Sequence, residues 1–309
     1  GPNAGGYDAW LTHYDGAGNQ TWVRQVGSAV SDYAFSAASD GSGGVYVSGV
    51  TYGGLAAPYL GAGDVWLARY DSSGNRTWLG QFGSDRDDYQ RYIYDEYLAY
   101  RVLNLLTPFG YRVRLVEITY EDTSGEYEPL TKHAFVLEAD EQMAERNRAV
   151  FLEVPQMHPM MADGDQSVLM GMFNYMIANL DWSAVFFHNA VVIRLEDGRH
   201  MAIPYDFDHA GAVNARYATV PPQLQDEVRR VRQRLYREFC RPQLTHANVA
   251  AMFTGKREAI EDLYRSFPLW EDPSHAVEAI EYYEEFWEVI ADEDEFEDEI
   301  LDHCTDMPR

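Results

Sequence analysis

Lysine is almost missing from this chain: Lys132 and Lys256 are the only two in 309 residues. Arginine does not make up the shortfall, since 24 basic residues stand against 50 acidic ones and leave a formal charge of −26. A nucleic-acid partner requires a basic face that displaces counterions from phosphates, and an anionic bilayer attracts the same kind of face. The balance argues against both. Long apolar runs are missing too. Nothing approaches the roughly 18 uninterrupted apolar residues of a spanning helix, so no membrane span is expected. No charged-then-apolar leader opens the chain, and Gly1-Pro2 has the form of a protease scar. Cysteine is too scarce for a disulfide framework. With only Cys240 and Cys304, two buried thiols are expected in preference to one bridge.

The chain has enough apolar and aromatic residues, 46% and 14%, to build a sizeable core, and its length suits about two domains. An internal repeat is its clearest feature. Asp8-Ala9-Trp10-Leu11-Thr12-His13-Tyr14-Asp15 returns as Asp64-Val65-Trp66-Leu67-Ala68-Arg69-Tyr70-Asp71, an offset of 56 residues. The register then holds through Gly18-Asn19 and Gly74-Asn75, Thr21-Trp22 and Thr77-Trp78, Gln25 and Gln81, Gly27-Ser28 and Gly83-Ser84, and Asp32-Tyr33 and Asp88-Tyr89. Trp10, Thr12 and Tyr14 alternate with Leu11 and His13, which is a strand period. Asp15–Asn19 is a turn, because Gly and Asn tolerate positive φ, and Thr21-Trp22-Val23 begins the returning strand of a hairpin. Ser42-Gly43-Gly44 then leads into a further strand, Val45–Val50. Several short strands per unit suit one blade of a propeller.

Gly6–Trp10, the Tyr14-Asp15-x-x-Gly-Asn turn, Trp22 and Gly44–Gly49 resemble the bacterial SBBP family of β-propeller repeats over about residues 5–89. The resemblance implies a secreted or cell-surface setting and a binding or spacer role. The second copy stops at Tyr89, before its own Gly-Val-Tyr-Val strand. One and a half units do not close a ring of about four to eight blades, so the array is truncated or completed by another element.

Beyond Tyr89 glycine thins out, and a domain boundary is expected near residues 85–91. Ile93, Tyr97, Tyr100, Val102, Leu105 and Leu106 are spaced as on a helix that ends at Thr107-Pro108-Phe109-Gly110. Strands follow over 111–120 and 133–138, separated by a turn at Asp122–Gly125. A polar helix begins near Asp140, and a core helix runs from about Ser167 to Asn179. After it, Asn179-Leu180-Asp181-Trp182 leads to Phe187-His188-Asn189. Strand 190–195, an Asp197-Gly198 turn and strand 200–205 form a hairpin that ends in Asp206-Phe207-Asp208. A hairpin returns the chain to its start, so Asn189 and Asp206 are expected close together. Asp206 and Asp208, if extended, point to one side. These oxygens beside Asp181 make a hard-oxygen site of the kind Mg²⁺ or Mn²⁺ takes. The order also suits phosphoryl transfer, with Asp181 receiving the nucleophile's proton and Asn189, Asp206 and an additional Asp208 holding metal. Asp181 also suits a turn cap, Asp206 and Asp208 a solvated strand end, and His188 a satisfied loop or core residue.

Asn179-x-Asp181, the delayed Asn189 and Pro204–Asp208 resemble the CotH-like and HipA-like branches of the protein-kinase-like superfamily. With them go Glu96–Arg101, Phe109–Leu115 and Val231–Arg237, so that the resemblance covers about residues 92–245. It implies ATP as nucleotide and a protein or small-molecule hydroxyl as acceptor. It also implies that Glu96 pairs with a nucleotide-binding lysine, that Glu138 lies where the hinge meets adenine, and that Asp181, Asn189 and Asp206 hold the catalytic and metal positions. Three departures accompany it. Asp181 and Asn189 are farther apart than in Asp-x-x-x-x-Asn, Asp208 replaces the glycine of Asp-Phe-Gly, and neither lysine lies on a strand just before Glu96. The small lobe is therefore expected to be incomplete.

Helices are expected at about 223–239, 247–266 and 275–291, followed by a solvated or frayed acidic tail from Asp292. The fold class is α+β. Residues 1–89 form an antiparallel repeat region of partial propeller blades, and residues 90–309 a mostly helical kinase-like lobe. The function expected is a metal-dependent kinase, or else a non-catalytic surface binding protein with a pseudokinase domain.

Overall fold

The computed structural model describes residues 4–56, 64–82, 87–121, 129–152, 154, 156–183 and 185–307. The chain is α+β and separates into two compact units, Gly1–Tyr89 and Gln90–Arg309. The turn expected at Asp122–Gly125 and the repeat positions Gly83 and Ser84 lie outside the described residues.

In the first unit β1 (Ala9–Tyr14) and β2 (Gln20–Val26) form one antiparallel hairpin. Strands β3 (Asp32–Ser39), β4 (Val45–Thr51), β5 (Asp64–Tyr70) and β6 (Arg76–Phe82) form a four-stranded sheet in chain order. The sequence repeat becomes a structural one. Ala9 opposite Val26 and Trp10 opposite Gln25 recur as Val65 opposite Phe82 and Trp66 opposite Gln81. Both ladders slip at the same place, between His13 and Tyr14 and between Arg69 and Tyr70. The connecting loops match as well. Asp15 Oδ1 accepts from Ala17 N at 2.9 Å and Asn19 N at 2.8 Å, and Asp71 Oδ1 from Ser73 N and Asn75 N, both at 2.8 Å.

Burial separates the two copies. Ala9 and Val26 on one face of the β1–β2 hairpin pack with Val47, Trp66, Ala68 and Tyr70 of the sheet, and Leu11, Val45 and Leu79 fill the edges. Trp22 stacks on Tyr70 at 6.4 Å and donates its Nε1 proton to Ser72 O at 3.1 Å. Gly49 lies opposite Trp66 because a Cβ there would come within 1.8 Å of Tyr33 O and 2.8 Å of the indole. Trp66 and Tyr70 are therefore 0% and 2% exposed, whereas Trp10 and Tyr14, at the same repeat positions, are 68% and 56% exposed.

The second unit opens with α1 (Asp87–Leu106), which buries Leu98, Ala99, Val102 and Leu103 and stops where Pro108 cannot continue it. Strands β7 (Val113–Tyr120) and β8 (Leu130–Leu137) pair only with each other. Helix α2 (Asp140–Arg146) leads to β9 (Ala149–Leu152), the edge of a three-stranded sheet with β10 (Ala190–Leu195) in the middle and β11 (His200–Pro204) beyond it. Helix α3 (Gly164–Met176) starts on Asp163, whose Oδ1 accepts from Gln166 N at 3.0 Å. From Gln166 onward it is buried on every side, so the expected apolar set serves as core. Helices α4 (His246–Phe253), α5 (Arg257–Arg265), α6 (Ser274–Ala291) and α7 (Glu293–Phe296) complete the unit.

Three expectations are corrected here. Residues 223–239 are not a helix: a single 3-10 turn at Pro222–Leu224 is followed by turns and irregular backbone. Two of the five arginines of that segment bond to carbonyl oxygens elsewhere, Arg234 to those of Met176 and Tyr282 and Arg237 to those of Leu180 and Trp182. The acidic tail is not frayed. Asp292 caps α7, accepting from Asp294 N and Glu295 N at 3.0 and 3.1 Å, and Phe296 and Ile300 are wholly buried. The two cysteines form a disulfide rather than two thiols. Cys240 N donates to Thr305 O at 2.8 Å and Thr305 N to Glu238 O at 3.1 Å, which sets the sulfurs side by side. Closing a loop with a separation of 64 residues stabilises by about 4 kcal/mol in the chain-entropy description.

The unequal burial of the two tryptophans has a measurable consequence. Trp66→Ala should destabilise the first unit by about 3–5 kcal/mol, and Trp10→Ala should change it by less than about 0.5 kcal/mol. Denaturant unfolding of both variants checks this, and equal losses would contradict the packing described.

Candidate functional site

The site begins where α3 ends. Asn179 is buried, with its N–H on Asn174 O at 2.8 Å and its Nδ2 on Asn174 Oδ1 at 2.9 Å. Its Oδ1 accepts from Asp181 N at 3.1 Å, which fixes where the Asp181 side chain departs from the backbone. Arg237 reaches the carbonyls of Leu180 and Trp182 on either side of Asp181. The long spacing from Asp181 to Asn189 is absorbed by a closed loop. Ser183 N donates to His188 O at 2.8 Å and His188 N to Ser183 O at 3.2 Å, so the chain returns to Asp181. Asn189 Nδ2 then donates to Asp181 O at 2.8 Å and to Asp181 Oδ2 at 3.3 Å. Among the described residues no hydrogen bond reaches Asn189 Oδ1. His188 Nε2 sits 2.8 Å from Asp181 Oδ1, so His188 is a satisfied loop residue that touches the candidate base.

Asn189 and Asp206 stand at the two ends of the β10–β11 hairpin. Ala190 pairs with Pro204, and Tyr205 N donates to Asn189 O at 3.0 Å. Asp206 is not extended. Its φ is +61°, and Asn189 (+49°), Phe187 (+50°) and Ala178 (+49°) share the left-handed region. Such backbone costs about 1–3 kcal/mol per non-glycine residue and persists where the surroundings overdetermine it. Here Asp206 N donates to Tyr100 Oη at 2.7 Å, and Phe207 N donates to Glu96 Oε1 at 3.3 Å. Phe207 itself is fully buried against Tyr100, with ring centroids 4.5 Å apart, and against Phe173 at 5.3 Å. Glu96 and Tyr100 are one helical turn apart on α1, so one face of that helix holds the whole Asp206-Phe207-Asp208 segment.

The carboxylates are crowded. Asp206 and Asp208 act on each other, and Tyr217 acts on Asp208. The surrounding protein desolvates Asp206, and Asp208 adds like-charge repulsion, pushing its carboxyl up to about 7. Desolvation also raises Asp208. Burial lifts Glu96 well above the carboxylate range, and Asp208 and Asp206 add to the rise. Glu96 makes no ion pair among the described residues, so the lysine partner implied by the resemblance is not what it meets. Glu138 is occupied elsewhere. Arg146 grips its two oxygens at 3.0 and 2.8 Å, and Arg112 N donates to it at 3.2 Å. Burial alone would raise the Glu138 carboxyl, but these donors outweigh it and hold the group low.

Asp181, Asn189, Asp206, Asp208 and Glu96 thus form one connected group, to which no hydrogen bond among the described residues ties Glu138. Tyr100, Tyr217 and Arg237 support it without having been assigned roles from sequence. For Arg237 the signal was the arginine-rich run 229–237, which reads as helix until its carbonyl partners are seen. Among the described residues no three His, Cys, Asp or Glu side chains make a ready cation cage. The donors are instead two carboxylates and an amide oxygen, which fit a hard divalent cation. The raised carboxyls fit it too, because burial and like-charge repulsion disfavour their charged forms.

The Asp206 shift has a defined sign in stability. An acid raised from 3.8 to about 7 binds its proton more tightly folded than unfolded, so stability falls as pH rises from about 4 to about 7 and levels off above. Asp95, buried and raised to about 8, contributes in the same direction. Asp206→Asn should therefore lose less of its urea midpoint than the parent between pH 5 and pH 7.5. Identical pH dependence would show that Asp206 carries no such shift.

No protein-family model matches this chain, and no curated protein matches it.

Proposed function

We propose that the Gln90–Arg309 unit is an atypical metal-dependent kinase that transfers the γ-phosphoryl group of ATP to a hydroxyl of a protein or small molecule. In this reading it is a kinase-like lobe with an incomplete small lobe, and the Gly1–Tyr89 unit is a propeller-type repeat region that binds or spaces at a cell surface or outside the cell. The Cys240–Cys304 disulfide accords with an oxidising compartment. The observation that carries the reading is the hydrogen bond from Asn189 to Asp181, with Asp206 at the other end of the same hairpin.

Asp181, oriented by Asn179 and Arg237, accepts the proton of the attacking hydroxyl. The hydroxyl oxygen bonds to the γ-phosphorus as the bond to the bridging oxygen breaks, and ADP leaves with that electron pair. Asn189 Oδ1, Asp206 and Asp208 would hold the cation, which supplies neutralisation of phosphate charge when bound. Binding it requires Asp206 in its charged form, so activity rises with pH through about 7.

One observation favours the second reading, a surface binding protein with a pseudokinase unit. Glu96 faces Asp206 and Asp208 rather than an ammonium group, so no lysine is seen to hold the phosphates from that side. The two readings separate on turnover. Metal-dependent ATP consumption by the purified chain should fall by about 10²–10⁴-fold in Asp181→Asn with an unchanged melting temperature. No turnover in the parent, or turnover indifferent to the substitution, would leave the binding reading in its place.

A further inference from the structure

We propose that the cleft at the C-terminal end of α1 binds the phosphate group of a small phosphomonoester. The cleft has a volume of about 380 Å³ and shares no lining residue with the group around Asp181, Asn189 and Asp206. It is lined by the end of α1, the approach to β7, the last turn of α2 and the connection from α4 to α5. The last three segments each contribute one cationic side chain, Arg112, Arg146 and Lys256. Among the described residues no carboxylate lines the cleft, in a chain with 50 acidic residues against 24 basic ones. Lys256 is moreover one of only two lysines.

A simpler role for such cations is to answer the carbonyls and the negative end of a helix. Arg146 does so. Its Nη1 donates to Pro108 O at 2.8 Å and its Nη2 to Gly110 O at 2.9 Å, while Glu138 accepts from Nε and Nη2 at 3.0 and 2.8 Å and offsets the charge. The other two cations are not used in this way. Among the described residues no hydrogen bond or ion pair reaches the side chain of Arg112 or of Lys256. Setting Glu138 against Arg146 leaves two positive charges, which match the near-dianion that a phosphomonoester carries above its second pKa of about 6. Arg112 offers the planar fork that grips two phosphate oxygens, and Lys256 a point charge on a flexible stem. The remaining lining suits a short polyol skeleton. Leu105, Leu106 and Pro108 supply apolar contact. Pro108 has no N–H for Asn104 O, and Phe109 N turns to Thr107 Oγ1, so no described residue donates to the carbonyls of Asn104, Leu105 and Leu106. These are acceptors for ligand hydroxyls. A net charge of −26 repels a polyanionic macromolecule, so the fitting ligand is a small one.

Glycerol 3-phosphate is the probe, its phosphorus resonance followed as the full chain is added at constant ionic strength. Chelator is present throughout, so that no cation bridges phosphate to the carboxylate group. Saturable binding is expected, several-fold tighter than that of inorganic phosphate, which has no polyol. Lys256→Gln and Arg112→Gln should each weaken it by about tenfold, the loss of one charge-assisted hydrogen bond. The melting temperature of Lys256→Gln should match the parent, because that side chain has no partner to lose. Asp206→Asn should bind as the parent does. No saturable binding, or equal binding by the parent, Lys256→Gln and Arg112→Gln, would overturn the proposal. Loss of binding in folded Asp206→Asn would overturn it in favour of the carboxylate group as the site. Inorganic phosphate binding as tightly as the ester would overturn the assignment to a phosphomonoester.

Discussion

The second unit depends on the grip of α1 on Asp206-Phe207-Asp208. Asp206 is held at φ +61° with its N–H on Tyr100 Oη, and Phe207 is packed between Tyr100 and Phe173 with its N–H on Glu96. The left-handed backbone costs about 1–3 kcal/mol, and full burial of the phenylalanine contributes about 1.5–3 kcal/mol in return. The strain is therefore affordable only while Phe207 stays in place. Because Phe207 sits between the two aspartates, the same packing that joins α1 to α3 also fixes the backbone that carries both carboxylates. Core and candidate site share one aromatic contact.

Charge sets the second constraint. Lysine is nearly absent from the chain, yet Glu96, Asp206 and Asp208 are brought together and partly removed from water. Their mutual repulsion requires a proton or a bound cation. The arginines that might have answered it are engaged structurally, Arg237 and Arg234 on main-chain carbonyls and Arg146 on Glu138. That division of labour leaves these three arginines with partners other than the acidic group.

Much of the fold was legible where pattern and local structure agree. The 56-residue offset carries into equal ladders, equal slips and equal aspartate-capped loops, because hairpins are decided by nearby residues. Strand β10 and helix α6 follow the apolar spacing closely, and the convergence of Asn189 and Asp206 follows from hairpin geometry alone. Features fixed by distant partners were not legible. Residues 223–239 have a helical spacing of charge but are held open by carbonyls about 50 residues away in sequence. The acidic tail is ordered because Phe296 and Ile300 find a core and Cys304 finds Cys240. The left-handed turn at Asp206 has only a weak sequence signal, since aspartate tolerates that region but the contacts of Tyr100 and Phe207 that accompany it come from residues distant in sequence.

The central claim is that these carboxylates and Asn189 form a cation-dependent nucleotide site. Calorimetric titration of ATP into the purified chain, with Mg²⁺, with Mn²⁺ and with chelator, tests it most directly. The account predicts binding with either cation, none with chelator, and loss of the signal in Asp206→Ala. Binding of equal strength in chelator, or no binding under any of the three conditions, would contradict it.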